Sequence, residues 1–340
     1  MKVAVFGASV SAQTVHHTTK EVTGYSEVLR RRWMQALGAS ELKQICYAGG
    51  RLSDGGLYRV GHVLGYQPEL CLVEPLAEDV TRGRSLVEGE ALFMYGSMLS
   101  RGILPFVVLL PEPVKRTARK WDTYALHVAL CKRLGLPTVD IDISALERLD
   151  DYFIGLHTRL RGAELYAEAI ARGVAALGDR RELVKHAHAA AMALPARLRQ
   201  VVVETPTVTK IQQLVLRITP HRPGAYRFRV VQAQRVGPFS PVLAIAASGQ
   251  ASSGEEIRSV WDPFCHYERE AYPVLDDRSV EAPGGPCTIG VVVSEIDPPY
   301  SDARHRVERW PAPAERALRP IGPIKVFSTL PVDVELLRYQ

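Results

Sequence analysis

The first 178 residues alternate short runs of β-branched and apolar residues with longer segments in which apolar residues recur every three or four positions. Runs of the first kind predict strands, and segments of the second kind predict amphipathic helices. The predicted strands are Lys2–Phe6, Leu42–Tyr47, Leu70–Glu74, Leu104–Leu110 and Thr138–Ile141. The predicted helices are Tyr25–Leu37, Leu86–Arg101, Val114–Leu134 and Leu160–Leu177. This alternation predicts a three-layer α/β/α domain with a parallel sheet in the middle layer.

The pattern changes after residue 178. A charged, Ala-rich helix is predicted over Asp179–Arg199, either packed across the first domain or linking it to a second one. From Val201 onward, short apolar runs alternate with turns rich in Pro, Gly, Ser and Asp. We therefore predict a catalytic domain over 1–178, a linking helix over 179–200 and an antiparallel β-sandwich of jelly-roll type over 201–340.

Charge and composition argue against several classes of function. The net charge is only +5 over 340 residues, with acidic and basic residues interspersed, so we predict no nucleic-acid binding. No apolar run approaches the roughly 18 residues of a membrane span, and the charged Met1-Lys2 runs directly into a strand. We expect a cytoplasmic protein with no membrane partner.

The cysteines are scattered, without the spacing of a metal site. This spacing predicts neither disulfide bonds nor a structural zinc ion, and we expect no metal and no cofactor. The five cysteines are Cys46, Cys71, Cys131, Cys265 and Cys287.

A serine follows the first predicted strand. Lys2–Phe6 runs into Gly7-Ala8-Ser9, which holds the Ser9 hydroxyl at the carboxyl edge of the sheet, where open α/β folds place their chemistry. Ser9 is a candidate nucleophile, although the same tripeptide also suits a capping serine at a helix start. A serine nucleophile needs a base, and His157 lies between the fifth predicted strand and the last helix of the α/β region. We expect Ser9 and His157 to meet at that edge.

Several segments resemble, in the right order, the blocks of the SGNH or GDSL-type hydrolase superfamily. They are similar to its Gly-Asp-Ser block, its second-block helix, the strand before its Gly-x-Asn-Asp block, and its histidine loop with the closing helix. The matching segments are Gly7-Ala8-Ser9, Leu57–Val60, Pro68–Glu74, His157-Thr158, Gly162-Ala163 and Tyr166-Ala167. The resemblance covers about residues 1–178 and implies a flavodoxin-like sheet and serine hydrolase chemistry.

The resemblance implies a role for each matching residue. Ser9 would be the nucleophile, and His157 would be the general base that later protonates the leaving group. The backbone N–H groups of Ser9 and Gly50, with Gly49 as the alternative to Gly50, would form the oxyanion hole. At these two positions, glycine also suits any tight strand-to-helix turn.

The sequence departs from the family pattern at three positions. Ala8 stands in place of the aspartate of Gly-Asp-Ser, and Glu78 stands in place of the oxyanion-hole asparagine. An ionised carboxylate cannot donate a hydrogen bond, so Glu78 is protonated, or leaves the hole to two backbone donors, or orients His157 or a substrate hydroxyl. Ile154 stands three residues before His157, where the pattern has aspartate. We predict that Asp151 orients the imidazole, with Asp150 or a Ser-His pair as the alternatives.

Two further residues are candidates for substrate binding. His16 follows Ser9 closely, and Trp261 lies in an aromatic and charged stretch that suits stacking on a sugar ring, although solvent exposure of His16 and core packing of Trp261 are the simpler explanations. Together these features predict a serine esterase or deacylase for an O-acylated carbohydrate or small metabolite. An O-acyltransferase and a non-catalytic binding protein on a hydrolase scaffold are the alternatives, and homo-oligomerisation through the β domain stays open.

Overall fold

The computed structural model divides the chain into two compact units, Met1–Leu198 and Arg199–Gln340, called here the amino-terminal and carboxyl-terminal units. The residues that the structure describes are 1–12, 24–46, 56–76, 84–113, 123–155, 157–194, 201–204, 213–232, 234–236, 242–248, 254–259, 269–271, 274–280, 286–294 and 324–338. Among them, no helix is both long and apolar enough to cross a membrane.

A five-stranded parallel sheet forms the centre of the amino-terminal unit. Its strands are β1 (Lys2–Gly7), β2 (Glu41–Cys46), β3 (Leu70–Val73), β4 (Leu104–Leu109) and β5 (Thr138–Asp140). They pair in the order β2-β1-β3-β4-β5. Every residue of β3 and β4 is buried, as expected for strands covered by helices on both faces. The predicted parallel sheet is confirmed, and each predicted strand is present with its ends shifted by no more than one residue.

Helices occupy the connections between these strands and follow the last of them. They are α1 (Ser9–Ala12), α2 (Tyr25–Val28), α3 (Leu57–Tyr66), α4 (Arg84–Leu99), α5 (Tyr124–Leu134), α6 (Leu160–Ala175) and α7 (Arg180–Met192). The Asp179 carboxylate caps α7 by accepting a hydrogen bond from the Arg181 N–H at 2.9 Å. Helix α7 lies within the amino-terminal unit and contacts α4 and α5.

The predicted helix Tyr25–Leu37 differs from the structure. It begins as α2 but continues from Leu29 to Trp33 as a π-helical turn. Apolar spacing over so few residues does not distinguish the pitch of an α-helix from that of a π-helix. Within this segment the buried Glu27 carboxylate accepts hydrogen bonds from Arg30 Nη2 at 2.6 Å and from Arg31 Nε at 2.5 Å, which joins the α-helical to the π-helical part.

Replacing Glu27 with glutamine is expected to lower the free energy of unfolding by about 1–2 kcal/mol at neutral pH. The hydrogen bonds from Arg30 and Arg31 lower the pKa of Glu27, against the opposing effect of burial. A carboxyl whose pKa is lowered by folding stabilises the protein above its unfolded-state pKa and loses this contribution as the pH falls through the folded-state pKa. Urea unfolding should therefore show a difference between wild type and variant above about pH 5 that shrinks toward pH 3.

The exposed Glu182, which pairs with Lys185 at 3.8 Å, provides the control for this experiment. Glu182→Gln should change the free energy of unfolding by less than about 0.5 kcal/mol at any of these pH values. Equal effects of the two substitutions would contradict a special role for Glu27.

The carboxyl-terminal unit consists of antiparallel strands. Strands β6 (Phe153–Ile154) and β7 (His157–Thr158), which come before it in the chain, form a hairpin in the amino-terminal unit. The later strands are β8 (Val201–Glu204), β9 (Gln213–Pro220), β10 (Tyr226–Gln232), β11 (Gln234–Val236), β12 (Val242–Ser248), β13 (Gly254–Ser259), β14 (Arg269–Ala271), β15 (Val274–Val280), β16 (Cys287–Ser294), β17 (Ile324–Ser328) and β18 (Val332–Arg338). They form the sheets β15-β10-β17-β8 and β13-β12-β16-β9-β18 and the pair β11-β14.

Side chains from the two larger sheets share one core. Phe228 and Val326 come from the four-stranded sheet, whereas Leu216 and Cys287 come from the five-stranded sheet, and all are buried in the same cluster. The Tyr226 hydroxyl joins the two sheets through a contact with Cys287 Sγ at 3.4 Å. This arrangement confirms the predicted antiparallel β-sandwich.

Candidate active site

The order of the parallel strands places a crevice between β1 and β3. From β1 the chain moves outward to β2, and it then returns past β1 to add β3, β4 and β5. In open α/β sheets, ligands bind at such a switch point, outside the carboxyl ends of the strands. Ser9 follows β1 at this edge and Glu74 follows β3, so both residues lie at the switch point.

The turn between β1 and α1 requires a glycine. A Cβ atom at Gly7 would lie 2.0 Å from Ser11 Oγ and 3.1 Å from Glu74 Cβ. Ser11 on α1 therefore packs directly over the end of β1. Ser9 is the first residue of α1, and its side chain lies outside the described part of the structure.

A buried carboxylate holds this turn. Glu74 is fully buried, and its Oε2 accepts hydrogen bonds from the Ala8 N–H at 3.3 Å and from the Ser11 hydroxyl at 3.2 Å. The Tyr25 hydroxyl lies 2.9 Å from Ser11 Oγ. Because the single Ser11 hydroxyl hydrogen points to Glu74, Tyr25 is the donor in the second contact. Sequence reasoning assigned Glu74 only to the end of a strand, and the signal for its role was a single carboxylate closing an otherwise apolar run.

The other end of α1 is held by two side chains. The Ser11 carbonyl oxygen accepts hydrogen bonds from Ser26 Oγ at 2.6 Å and from Gln44 Nε2 at 2.8 Å. A four-residue helix has too few internal hydrogen bonds to be stable alone. The direction of α1 is therefore set by its contacts with Glu74, Ser26 and Gln44.

His157 lies on the second strand of a tight hairpin. Strands β6 and β7 pair with Phe153 opposite Thr158 and Ile154 opposite His157. Gly155 begins the two-residue loop with φ of 61°, the left-handed region that short hairpin turns need. His157 is half-buried, and Cα atoms of β7 lie within 8 Å of Cα atoms of α1. The structure thus brings the helix that begins at Ser9 beside the strand that begins at His157.

The closing helix α6 fixes this hairpin through a second close approach. A Cβ atom at Gly162 would lie 2.3 Å from the Tyr152 carbonyl oxygen and 3.1 Å from Thr158 Cγ2. The same Tyr152 carbonyl accepts a hydrogen bond from the Arg159 N–H at 2.6 Å. Helix α6 can therefore pack against the hairpin only because residue 162 has no side chain.

Tyr166 on α6 connects the hairpin with the nucleophile turn. Its ring lies 5.8 Å from the Phe153 ring and 6.3 Å, edge to face, from the Tyr25 ring. Burial raises the pKa of the Tyr166 phenol well above its usual value, and the charge of Glu74 and the nearby Tyr25 raise it further. Tyr166 is therefore a neutral aromatic residue that packs both halves of the candidate site into one core.

The Asp151 carboxylate contacts two arginines. Its oxygens lie 3.4 Å from Arg148 Nη2 and 3.7 Å from Arg161 Nη1. Arg159 Nε donates a hydrogen bond to the Asp150 carbonyl oxygen at 2.7 Å, so the loop before the hairpin is held by arginines at several points. The role of Asp151 as the acid that orients His157 stays a prediction.

Four other predicted site residues lie outside the described residues. They are His16, Gly50, Glu78 and Trp261. Among the residues that the structure does describe, no group of three His, Cys, Asp or Glu side chains is arranged to hold a metal ion.

Two cavities lie at opposite ends of the parallel sheet. One, of about 550 Å³, is bounded by Pro113 after β4, by Arg148 and Asp150, and by Phe153 and Gly155 of the histidine hairpin. The other, of about 890 Å³, is larger, but it lies at the amino ends of β3 and β4. The chemistry of such folds takes place at the carboxyl edge, and of these two cavities the smaller one lies at that edge, beside the histidine hairpin.

Known structures share this architecture. A two-domain esterase (CEX) active on acetylated mannans aligns with 96% of this chain and 90% of its own, at 14% identity and a TM-score of 0.58. The same esterase co-crystallised with mannopentaose gives a TM-score of 0.59 at 14% identity, with 96% and 91% of the two chains covered.

Another solved structure aligns with about half of the chain. A GDSL-like lipase from Bacteroides thetaiotaomicron aligns with 51% of this chain and 87% of its own, at 16% identity and a TM-score of 0.38. No protein-family model and no curated protein sequence matches the chain. At 14% identity, the likeness to the two-domain esterase is evidence of fold alone, and the alignment covers both units. The chain therefore has the fold of the two-domain esterase, a parallel α/β unit followed by an antiparallel β-sandwich.

Proposed function

We propose that the protein is a serine esterase that removes acyl groups from an O-acylated carbohydrate. The observation that carries this proposal is the position of β7, with His157, beside α1, which begins at Ser9, at the switch point of the sheet. A hydroxyl nucleophile and an imidazole base on adjacent segments are the minimum for acyl transfer through a serine.

In the proposed reaction, Ser9 Oγ attacks the ester carbonyl carbon while His157 takes the hydroxyl proton. The tetrahedral intermediate collapses, the bond to the sugar oxygen breaks, and imidazolium His157 returns the proton to that oxygen. Water then attacks the acyl-enzyme, with His157 again accepting and returning a proton, and the carboxylic acid leaves. In this proposal the backbone N–H of Ser9 stabilises the negative oxygen of each intermediate.

The substrate class rests on the likeness over both units to an esterase described as active on acetylated mannans. The chain aligns with that esterase over the α/β unit and the β-sandwich alike, which supports a polymeric or oligomeric acetylated sugar over a small alkyl ester. The cavity beside the histidine hairpin offers Arg148 and Asp150 as polar groups at its wall, which suits hydroxyl-rich ligands.

Two measurements on the wild-type protein test this function. Acetate release from acetylated mannan, acetylated xylan and 4-nitrophenyl acetate should be detectable, and a fluorophosphonate probe should modify a peptide containing Ser9, as mapped by mass spectrometry. Adding mannose oligosaccharides as acceptors distinguishes hydrolysis from transfer, because a transferase would form new esters in preference to free acetate. Absence of both labelling and acetate release would leave the non-catalytic alternative.

A further inference from the structure

We propose that Glu74 is a positioning residue that sets the orientation of the nucleophile turn by accepting hydrogen bonds from both sides of Ser9. This inference rests on the proposed function. Its basis is one carboxylate oxygen, Glu74 Oε2, which lies 3.3 Å from the Ala8 nitrogen and 3.2 Å from Ser11 Oγ. Ala8 precedes Ser9 and Ser11 follows it, so both contacts bracket the nucleophile.

The burial of Glu74 indicates that this arrangement serves a purpose beyond filling space. Glu74 is 0% exposed, and a buried carboxylate is costly unless hydrogen bonds compensate for the lost water. The Ala8 N–H and the Ser11 hydroxyl donate to it directly, and Tyr25 donates to Ser11 in turn. An apolar side chain after β3 would have avoided this cost, yet it would leave the Ala8 N–H and the Ser11 hydroxyl without this acceptor.

Because of its position in the sheet, Glu74 can fix the position of α1 relative to β1 and β3. It follows β3, which pairs directly with β1, and the Glu74 N–H itself donates to the Phe6 carbonyl oxygen at 3.0 Å. The carboxylate is thus attached to the rigid centre of the sheet, whereas α1 is one short turn. A misplacement of about 1 Å in a reacting group can lower the rate by roughly 10²-fold. Loss of the Glu74 contacts should therefore affect kcat far more than substrate binding.

The test compares Glu74→Leu and Glu74→Gln with Glu90→Gln, which alters an equally buried carboxylate on α4. Values of kcat and KM for an acetyl ester, the rate of fluorophosphonate labelling and the thermal midpoint are measured for each variant. We expect Glu74→Leu to lower kcat by about 10²-fold with KM changed by less than about twofold. Glu74→Gln, whose amide oxygen still accepts both hydrogen bonds, should lose less than about tenfold, and Glu90→Gln should match wild type.

The outcomes separate this inference from the proposed function. A wild type that neither releases acetate nor is labelled refutes both. If the wild type is active and Glu74→Leu folds with an unchanged kcat, the positioning role alone is overturned. The same holds if the kcat of Glu74→Gln falls as far as that of Glu74→Leu. If Glu74→Leu does not fold, Ser11→Ala decides, because it removes the Ser11 hydroxyl donor and leaves the carboxylate. A kcat for Ser11→Ala equal to wild type then overturns the inference, and a fall of about fivefold or more at constant KM supports it.

Discussion

Replacement of His157 by alanine is expected to lower kcat for ester hydrolysis by about 10⁴-fold. Without an imidazole beside α1, no group takes the Ser9 proton as the hydroxyl attacks, and no group returns a proton to the leaving sugar oxygen. Ser9→Ala should cause a loss of similar size. Because the two side chains act as a unit, the double variant should be no slower than either single variant. Discontinuous assays of acetate release, with active-site titration, measure kcat for the two single variants and the double variant.

The matched control for His157 is His188, a half-buried histidine on α7 next to the cavity at the opposite edge of the sheet. His188→Ala should keep kcat within about twofold of wild type. If His157→Ala lowers kcat at least three orders of magnitude less than Ser9→Ala does, the base is another residue. Asp151→Asn then distinguishes a triad, in which kcat falls by about 10⁴-fold, from a Ser-His pair, in which it stays near wild type.

Much of the fold could be predicted because both kinds of element leave a clear periodicity. The apolar strands of the first 178 residues are separated by helical segments, whereas the short strands after Val201 are separated by turns rich in Pro, Gly, Ser and Asp, and this difference is typical of parallel and antiparallel sheets. The order of strand, serine turn and histidine loop was also sufficient to expect Ser9 and His157 at one edge. The structure places the segments that begin with these residues side by side.

The contacts that hold the site could not be predicted, because they join residues far apart in the sequence. Glu74 meets Ala8 and Ser11 across more than sixty positions, and nothing in a strand pattern indicates which donors will converge on its last carboxylate. The contacts of Asp151 are with residues closer in the sequence, but the strand and helix pattern does not indicate them either. In the structure, Arg148 and Arg161 lie against its carboxylate, and charge pairs of this kind depend on loop geometry that periodicity does not describe.

Gly7→Ala is expected to destabilise the amino-terminal unit by about 1–3 kcal/mol and to lower kcat by about 10²-fold. A Cβ atom there would overlap Ser11 Oγ at 2.0 Å and press on Glu74 Cβ at 3.1 Å. Glu74 cannot move away, because it is attached to β3, whereas Ser11 is carried by the short helix α1. Relief must therefore come from a shift of α1, which also carries Ser9.

Gly61→Ala is the control for Gly7→Ala, because Gly61 is an exposed glycine within α3 and a Cβ atom there meets nothing within 4 Å. It should raise the free energy of unfolding by about 0.5–1 kcal/mol through better helix propensity and leave kcat unchanged. The two substitutions add the same methyl group, so opposite signs in urea unfolding and a kcat loss confined to Gly7→Ala would locate the effect in the packing of the nucleophile turn. A Gly7→Ala variant with wild-type kcat would show that α1 tolerates displacement, and the tight packing of Ser11 over β1 would then have no part in positioning Ser9.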